Sequence, residues 1–225
     1  MINDMGVEIK SFEAIDEGTY DFVIHGVVGL GLREIPAFQG QEKPPAVQAK
    51  VIFELPELQR EDGQSQMLTY KLTLSTSEKS NCFKFFKLIH GDKVSKATIS
   101  QFLTSEGLRG LLGKTGTVGV KHWNKDGRNI ATVDREGFAR LHPKVKPPEA
   151  TRPAFFFNPL NPDMEVFKNT LTFWTKKEVM SALNSDKFPA ELHEAWAKAQ
   201  EDEENRKNNK EQAKSEKQED TSAIE

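Results

Sequence analysis

Residues 115–138, TGTVGVKHWNKDGRNIATVDREGF, decide the fold. Thr115, Thr117, Gly119, Lys121 and Trp123 fall on one face of a period-2 pattern, with Gly116, Val118, Val120 and His122 on the other. Alternation of this kind specifies a strand whose two faces meet different surroundings. Asn124-Lys125-Asp126-Gly127 supplies a turn. Arg128 to Phe138 then returns as a strand, with Ile130, Thr132 and Asp134 opposite Ala131, Val133 and Arg135. The segment is an antiparallel hairpin.

Three more strands precede it. Thr19 to Val28 alternates Tyr20, Phe22 and Ile24 against Asp21, Val23 and His25, and Gly26, Gly29 and Gly31 predict a bend or bulge. Arg33 to Pro45 holds three prolines and Gly40, which predicts an exposed loop. Ala46 to Leu55 forms the second strand and Met67 to Leu74 the third, separated by an acidic loop containing Gly63. Between the third strand and the hairpin the period changes to helical. Ser77 is placed to cap a helix carrying Cys82, Phe85, Phe86 and Ile89 and ending at Gly91, and a second helical segment spans Ser100 to Leu112.

The expectation is a mainly β fold: a five-stranded antiparallel barrel of the oligonucleotide-binding (OB) type, with a helix between strands three and four. A sandwich of five strands is the alternative closing. Residues 1–16 read as an arm with Ile9 and Phe12 as anchors, and 17–142 as the barrel. Residues 143–199 read as a proline-rich linker and a docked, partly helical extension, and 200–225 as a charged, frayed or disordered tail. In the extension, Phe155-Phe156-Phe157 is too dense in aromatic rings to stay in water and is expected to dock on the barrel. Thr175 with Glu178 spells a capping box, and Pro189 opens a further helix.

Net charge over the 225 residues is −3, which at first sight argues against a nucleic-acid partner. The sum hides a partition. From Gln200 onward nine acids face five bases, so the tail carries −4 and the preceding 199 residues +1. The single cysteine, Cys82, excludes an internal disulfide and a cysteine-based zinc site, and leaves a reducing compartment as the default. The longest apolar run, Phe22 to Leu32, is far shorter than the ~20 residues a bilayer span needs, and the start lacks the pattern of a secretory signal. The chain is expected to be cytoplasmic and not membrane-bound.

Nothing in the residues builds a catalytic centre. His25, His90, His122, His142 and His193 are scattered, with no ligand spacing, so neither metal nor cofactor is expected. Gly110-Leu-Leu-Gly113-Lys114-Thr115 contains Gly-Lys-Thr but leads into a strand, where a phosphate loop needs a helix N-terminus. Cys82 sits among phenylalanines and reads as a small apolar residue. The carboxylates of Glu57 to Asp62 lie in a loop, a poor frame for acid–base work or for a nuclease.

Binding has better support. Proteins that hold single strands combine cations that follow phosphates with rings that stack on unpaired bases. Tyr20, Arg33, Phe38, Lys50, Lys71, Lys114, Lys121, Trp123, Lys125, Arg128 and Arg140 are the candidate contacts. Trp123 stands out because Lys121, Lys125 and Arg128 flank it around the turn. A tryptophan covering the barrel mouth is the structural alternative. Phe22, Phe53 and Tyr70 are expected in the core.

These residues carry a family resemblance. Glu17-Gly18-Thr19-Tyr20, Val51-Ile52-Phe53-Glu54-Leu55-Pro56, Tyr70-Lys71-Leu72-Thr73-Leu74-Ser75-x-x-Glu78-Lys79-Ser80, Leu112-Gly113-Lys114 and Asn158-Pro159-Leu160 resemble the framework of bacteriophage single-stranded DNA-binding proteins of OB fold, over roughly residues 15 to 170. The resemblance implies a non-enzymatic protein that coats unpaired DNA in replication, recombination and repair, in the host cytoplasm. It also implies an acidic tail that meets phage or host replication proteins. This tail mixes signs and ends Ser222-Ala223-Ile224-Glu225, without a terminal ring. Self-association stays open. The competing expectation is a protein-interaction module in which the barrel and Phe155 to Phe157 bind a phage or host protein without DNA.

Overall fold

The first strand, β1, shows how the sequence builds its sheet. Every residue from Phe22 to Val28 is buried, and the run carries side chains to both faces of the strand. The strand is therefore covered on both sides. Phe22, Ile24 and Val27 enter the apolar core, while the His25 ring meets the edge of Phe155 at 5.2 Å. This computed structural model describes residues 15–38, 40–125 and 128–222; the side chains of Phe38, Lys125, Arg128 and 210–222 lie outside the description, as does the expected arm with Ile9 and Phe12.

The strands are β1 (Gly18–Phe38), β2 (Gln41–Gln59), β3 (Ser65–Thr73), β4 (Thr115–Lys125), β5 (Arg128–Ala139) and β6 (Phe155–Phe157). They form one six-stranded antiparallel sheet of order β3-β2-β1-β4-β5, with β6 added to β1. Five strands were expected. The sixth is the Phe155-Phe156-Phe157 patch, which hydrogen-bonds to β1 as a strand instead of docking through its rings alone. The sheet is not closed: β3 and β5 are its two ends, and they approach through the rings of Tyr70 and Phe138, 5.2 Å apart.

The proline-containing stretch from Arg33 to Pro45, expected as a loop, belongs to the long hairpin of β1 and β2. Pro36, Pro44 and Pro45 are all exposed there. Proline lacks only a donor, so it is tolerated where no partner strand needs that donor.

The chain divides into two units, each assembled from separate stretches: Met1–Val28 with Ala49–Phe156, and Gly29–Gln48 with Phe157–Glu225. In the first, Phe22, Phe53, Phe85 and Tyr70 surround Phe138 with ring centroids 5.2–6.4 Å away. Phe22 and Phe53 are fully buried, each worth roughly 1.5–3 kcal/mol of transfer free energy. The connection from β3 to β4 is helical: α1 (Asn81–His90), α2 (Ile99–Phe102) and α3 (Ser105–Arg109). Ser80 rather than Ser77 caps α1, accepting from Phe83 N at 3.0 Å, and Gly91 ends it with φ +68°. The single helix expected over Ser100 to Leu112 is broken because Thr104 turns its hydroxyl to Gly107 N at 3.1 Å and starts α3.

In the second unit, a π-helical turn at Val166–Thr170 leads to α4 (Phe173–Met180) and then α5 (Ala190–Ser222). Thr172, not Thr175, caps α4, accepting from Thr175 N at 3.3 Å. The segment expected as a frayed tail continues α5 through Ser222. The outer part of β1 is tied in by side chains and backbone alike: Asn184 Oδ1 accepts from Leu32 N at 2.8 Å, and Leu32 O accepts from Leu183 N at 2.8 Å. Phe157 and Phe167 pack 5.7 Å apart, both fully buried.

The end of the proline-rich linker does not leave the first unit. Glu54 on β2, fully buried, accepts from Thr151 N at 3.0 Å and from the Thr151 hydroxyl. Ser65 on β3 meets the same hydroxyl at 3.1 Å, and its carbonyl accepts from Arg152 at 3.3 Å. This clasp delivers Phe155 to β1 over Gly26, where a Cβ atom would lie 2.6 Å from the Phe155 ring. Gly26→Val should therefore cost about 1–3 kcal/mol in a urea denaturation series. In a Phe155→Ala background the same change should cost clearly less, and equal costs in both backgrounds would show that the ring contact is not the cause.

Candidate nucleic-acid interface

The β4–β5 hairpin is rooted in the sheet and projects beyond it. Pairing of β1 with β4 runs from Val23↔Thr115 to Gly18↔Val120, and past that point β4 has only β5 as a partner strand. The projecting ribbon pairs Lys121↔Thr132, Trp123↔Ile130 and Lys125↔Arg128 along one face. On the other face His122 is held by the chain before β1: its N–H donates to Glu17 Oε1 at 2.7 Å and its Nε2 lies 2.7 Å from Ile15 O. One face is thus occupied and the other open.

Trp123 and Ile130, directly opposite each other, are 57% and 42% exposed. Such a pair would gain by burial, and it stands instead between positions held by cations. Lys121 forms an ion pair with Asp134 at 2.8 Å. Each partner favours the other's charged form, raising the Lys121 ammonium pKa and lowering that of the Asp134 carboxyl, chiefly through their hydrogen bond. Lys125 and Arg128 face each other across the ladder at the tip, their side chains outside the description.

The other candidates do not join this cluster. Tyr20 packs against the core and donates its hydroxyl to Asp16 O at 3.0 Å. Arg33 lies in the other unit, donating to Glu178 O at 2.7 Å and Ser181 Oγ at 2.9 Å. Lys50 is buried. Lys71 is exposed on β3, on the face opposite Tyr70 and Leu72. Arg140 caps the end of α1, donating to Leu88 O at 2.8 Å and Lys87 O at 3.1 Å. Phe138, one of the rings interleaved with the hairpin cations, turns into the core because β5 carries a bulge. Thr117 pairs with Ala139 but Gly119 with Asp134, so three more residues are accommodated on β5 than on β4. Beside it, an open depression of about 740 Å³ between α1 and β5 is lined by Phe83, Lys84, Lys87, Phe138 and Arg140, among others.

The alternation places Ile130 on one face of the returning strand without marking it as a contact, and no spacing marks Trp174 or Lys177. The signal for Ile130 was its register opposite Trp123; for the other two it was an acid-free run of lysines around adjacent rings. Among the described residues there is no group of three or more His, Cys, Asp or Glu side chains placed to hold a metal ion, and no helix long and apolar enough to cross a membrane. No protein-family model matches the chain, and no curated protein matches it.

Lys114, exposed at the entry to β4, lies close enough to His90 to affect its titration. A helix C-terminus ordinarily favours a cation. At His90 burial dominates, joined by Lys114 and Lys93, and the pKa is lowered. The ring packs 6.0 Å from Phe86 and 4.8 Å from Phe102. Burial likewise lowers His25, against the opposing pull of Glu54. Both histidines therefore bind protons more readily in the unfolded chain, whose reference value is about 6.5. Their stabilising contribution is intact above that value and is lost as pH falls towards the lowered folded values. Urea midpoints should drop between pH 7.5 and pH 5.5, and the drop should shrink in His90→Phe. An undiminished drop in that variant would remove His90 from the explanation.

Proposed function

We propose that this chain is a non-enzymatic single-stranded DNA-binding protein that coats unpaired DNA in phage replication, recombination and repair, with little sequence preference. The observation that carries the reading is the open face of the β4–β5 ribbon, where an exposed Trp123 and Ile130 lie between lysine and arginine positions. A ring of this kind stacks on any base, and the flanking cations follow the phosphates. The element order supports it. Three strands, a helical connection and a hairpin follow the element order of an OB barrel, and the ends of the unclosed sheet, β3 and β5, approach at the Tyr70–Phe138 contact. In such barrels the loop joining strands four and five is a regular site of oligonucleotide contact. The tail's acidic residues, through which replication proteins would be met, belong to this proposal as well.

The competing reading, a protein-interaction module built on the barrel and Phe155 to Phe157, has less apolar surface to draw on in that patch, where Phe155 and Phe156 are half-buried. Phe157 is fully buried, Phe155 covers Gly26, and the Arg109 guanidinium lies 4.7 Å over the Phe156 ring.

Two measurements test the DNA reading. Fluorescence anisotropy of labelled oligo-dT should show affinity well above that for duplex of equal length, and Trp123→Ala should weaken it about tenfold, a single stack being worth ~1–3 kcal/mol. Equal affinity for the two DNA forms would sink the proposal. Asp134→Asn, which releases Lys121 from its ion pair, should strengthen binding at low salt. The slope of log affinity against log salt should steepen by about 0.7 if Lys121 then neutralises one phosphate. An unchanged slope would place Lys121 outside the contact.

A further inference from the structure

The second unit carries its own aromatic surface. Residues 166–177, VFKNTLTFWTKK, contain three lysines and two adjacent rings, with the nearest acids in sequence, Glu165 and Glu178, at either end. The fold gathers them. Trp174 is 69% exposed, more than any other large apolar side chain among the described residues. It is not an isolated ring: Phe173 meets it edge-on at 5.7 Å, and Trp196 of α5 stacks on Phe173 at 5.3 Å. Three aromatic side chains from two helices thus form a row that ends in the exposed indole.

Charge decides what such a row accepts. The Lys177 ammonium lies 5.5 Å from the centre of the Trp174 ring, and Lys168 is exposed on the preceding π-helical turn. Lys176 is turned inward, donating to Lys168 O at 2.9 Å beside the Phe167 ring, with Asp202 of α5 as its acidic neighbour. The cation beside the exposed ring is therefore Lys177, and Lys168 is exposed on the turn that precedes α4. An apolar partner would have to desolvate these ammonium groups, whereas a polyanion with planar bases satisfies them while stacking on the indole.

We infer that Trp174, with Lys177 and Lys168, forms a second stacking platform for single-stranded nucleic acid, in the unit that does not contain the hairpin. This rests on the DNA-binding reading above and extends it to a separate surface. Each unit then holds its own exposed tryptophan beside lysine.

The test uses the full chain and labelled oligo-dT. Trp174→Ala should lower affinity about tenfold, in the range of one lost stack, with an unchanged thermal midpoint because the ring is exposed. Trp174→Phe should recover part of the loss. In a Trp123→Phe, Trp196→Phe variant the emission of Trp174 alone should fall on titration with oligo-dT and stay level with duplex. If that emission is flat while anisotropy shows the oligonucleotide bound, or if Trp174→Ala binds as tightly as the parent, the second platform is refuted and the surface is one for a protein partner. If the unaltered protein binds no oligo-dT, the DNA-binding reading itself fails, and this inference with it.

Discussion

Burial of β1 on both faces is the constraint from which the first unit is organised. A strand with one wet face can rest on a single layer, but the run Phe22 to Val28 cannot. One face is filled by the aromatic cluster around Phe138. The other requires a cover from elsewhere in the chain, and the segment after the hairpin supplies it. Glu54, inside the sheet, fixes Thr151, and Gly26 leaves room for the Phe155 ring. A buried carboxylate without hydrogen bonds would be costly, so the clasp and the burial of Glu54 require each other.

The same anchoring gives the hairpin its exposed end. Because β1 begins at Gly18, its pairing with β4 ends at Val120, and everything beyond depends on β5. The occupied face of the projecting ribbon is held at His122 by Ile15 and Glu17. The β5 bulge then separates two tasks within one strand. Within it Phe138 serves the core, and after it Arg140 quiets the carbonyl end of α1; on its other side Ile130 stands beside Trp123 in the open. In a protein whose net charge is slightly negative, the local arrangement of cations matters more than their total.

Much of this is legible in the sequence, because period 2 is a local signal. The alternation around Val118 and Val120, the core places of Phe22, Phe53 and Tyr70, and the stop at Gly91 follow from neighbouring residues alone. What escapes depends on distant partners. The prolines from Pro36 to Pro45 read as a loop since proline's tolerance on an unpaired edge is invisible without the sheet. The Phe155 patch shows its apolar character but not its hydrogen bonds to β1. Among the candidate contacts, charge alone did not separate a cation that faces water from one with an internal task. Arg33 and Arg140 donate to carbonyls of helical segments, and Lys50 is buried. Trp174 was missed for a different reason: a helix with rings at adjacent positions has no apolar stripe to draw the eye.

The projecting ribbon also has a consequence for motion. Where three or more strands share a residue's neighbourhood, opening one hydrogen bond disturbs many contacts; past the anchor at His122, the pairs Trp123↔Ile130 and Asn124↔Asn129 have only each other's strand as neighbour. Two strands paired without further neighbours are marginally stable in water. The ribbon therefore belongs to the class of segments that open locally at a small fraction of the global unfolding free energy. Amide protons of the ribbon's described pairs are therefore expected to exchange before those of Phe22 or Val51, which makes the root of the hairpin, not its length, the part that fixes its position.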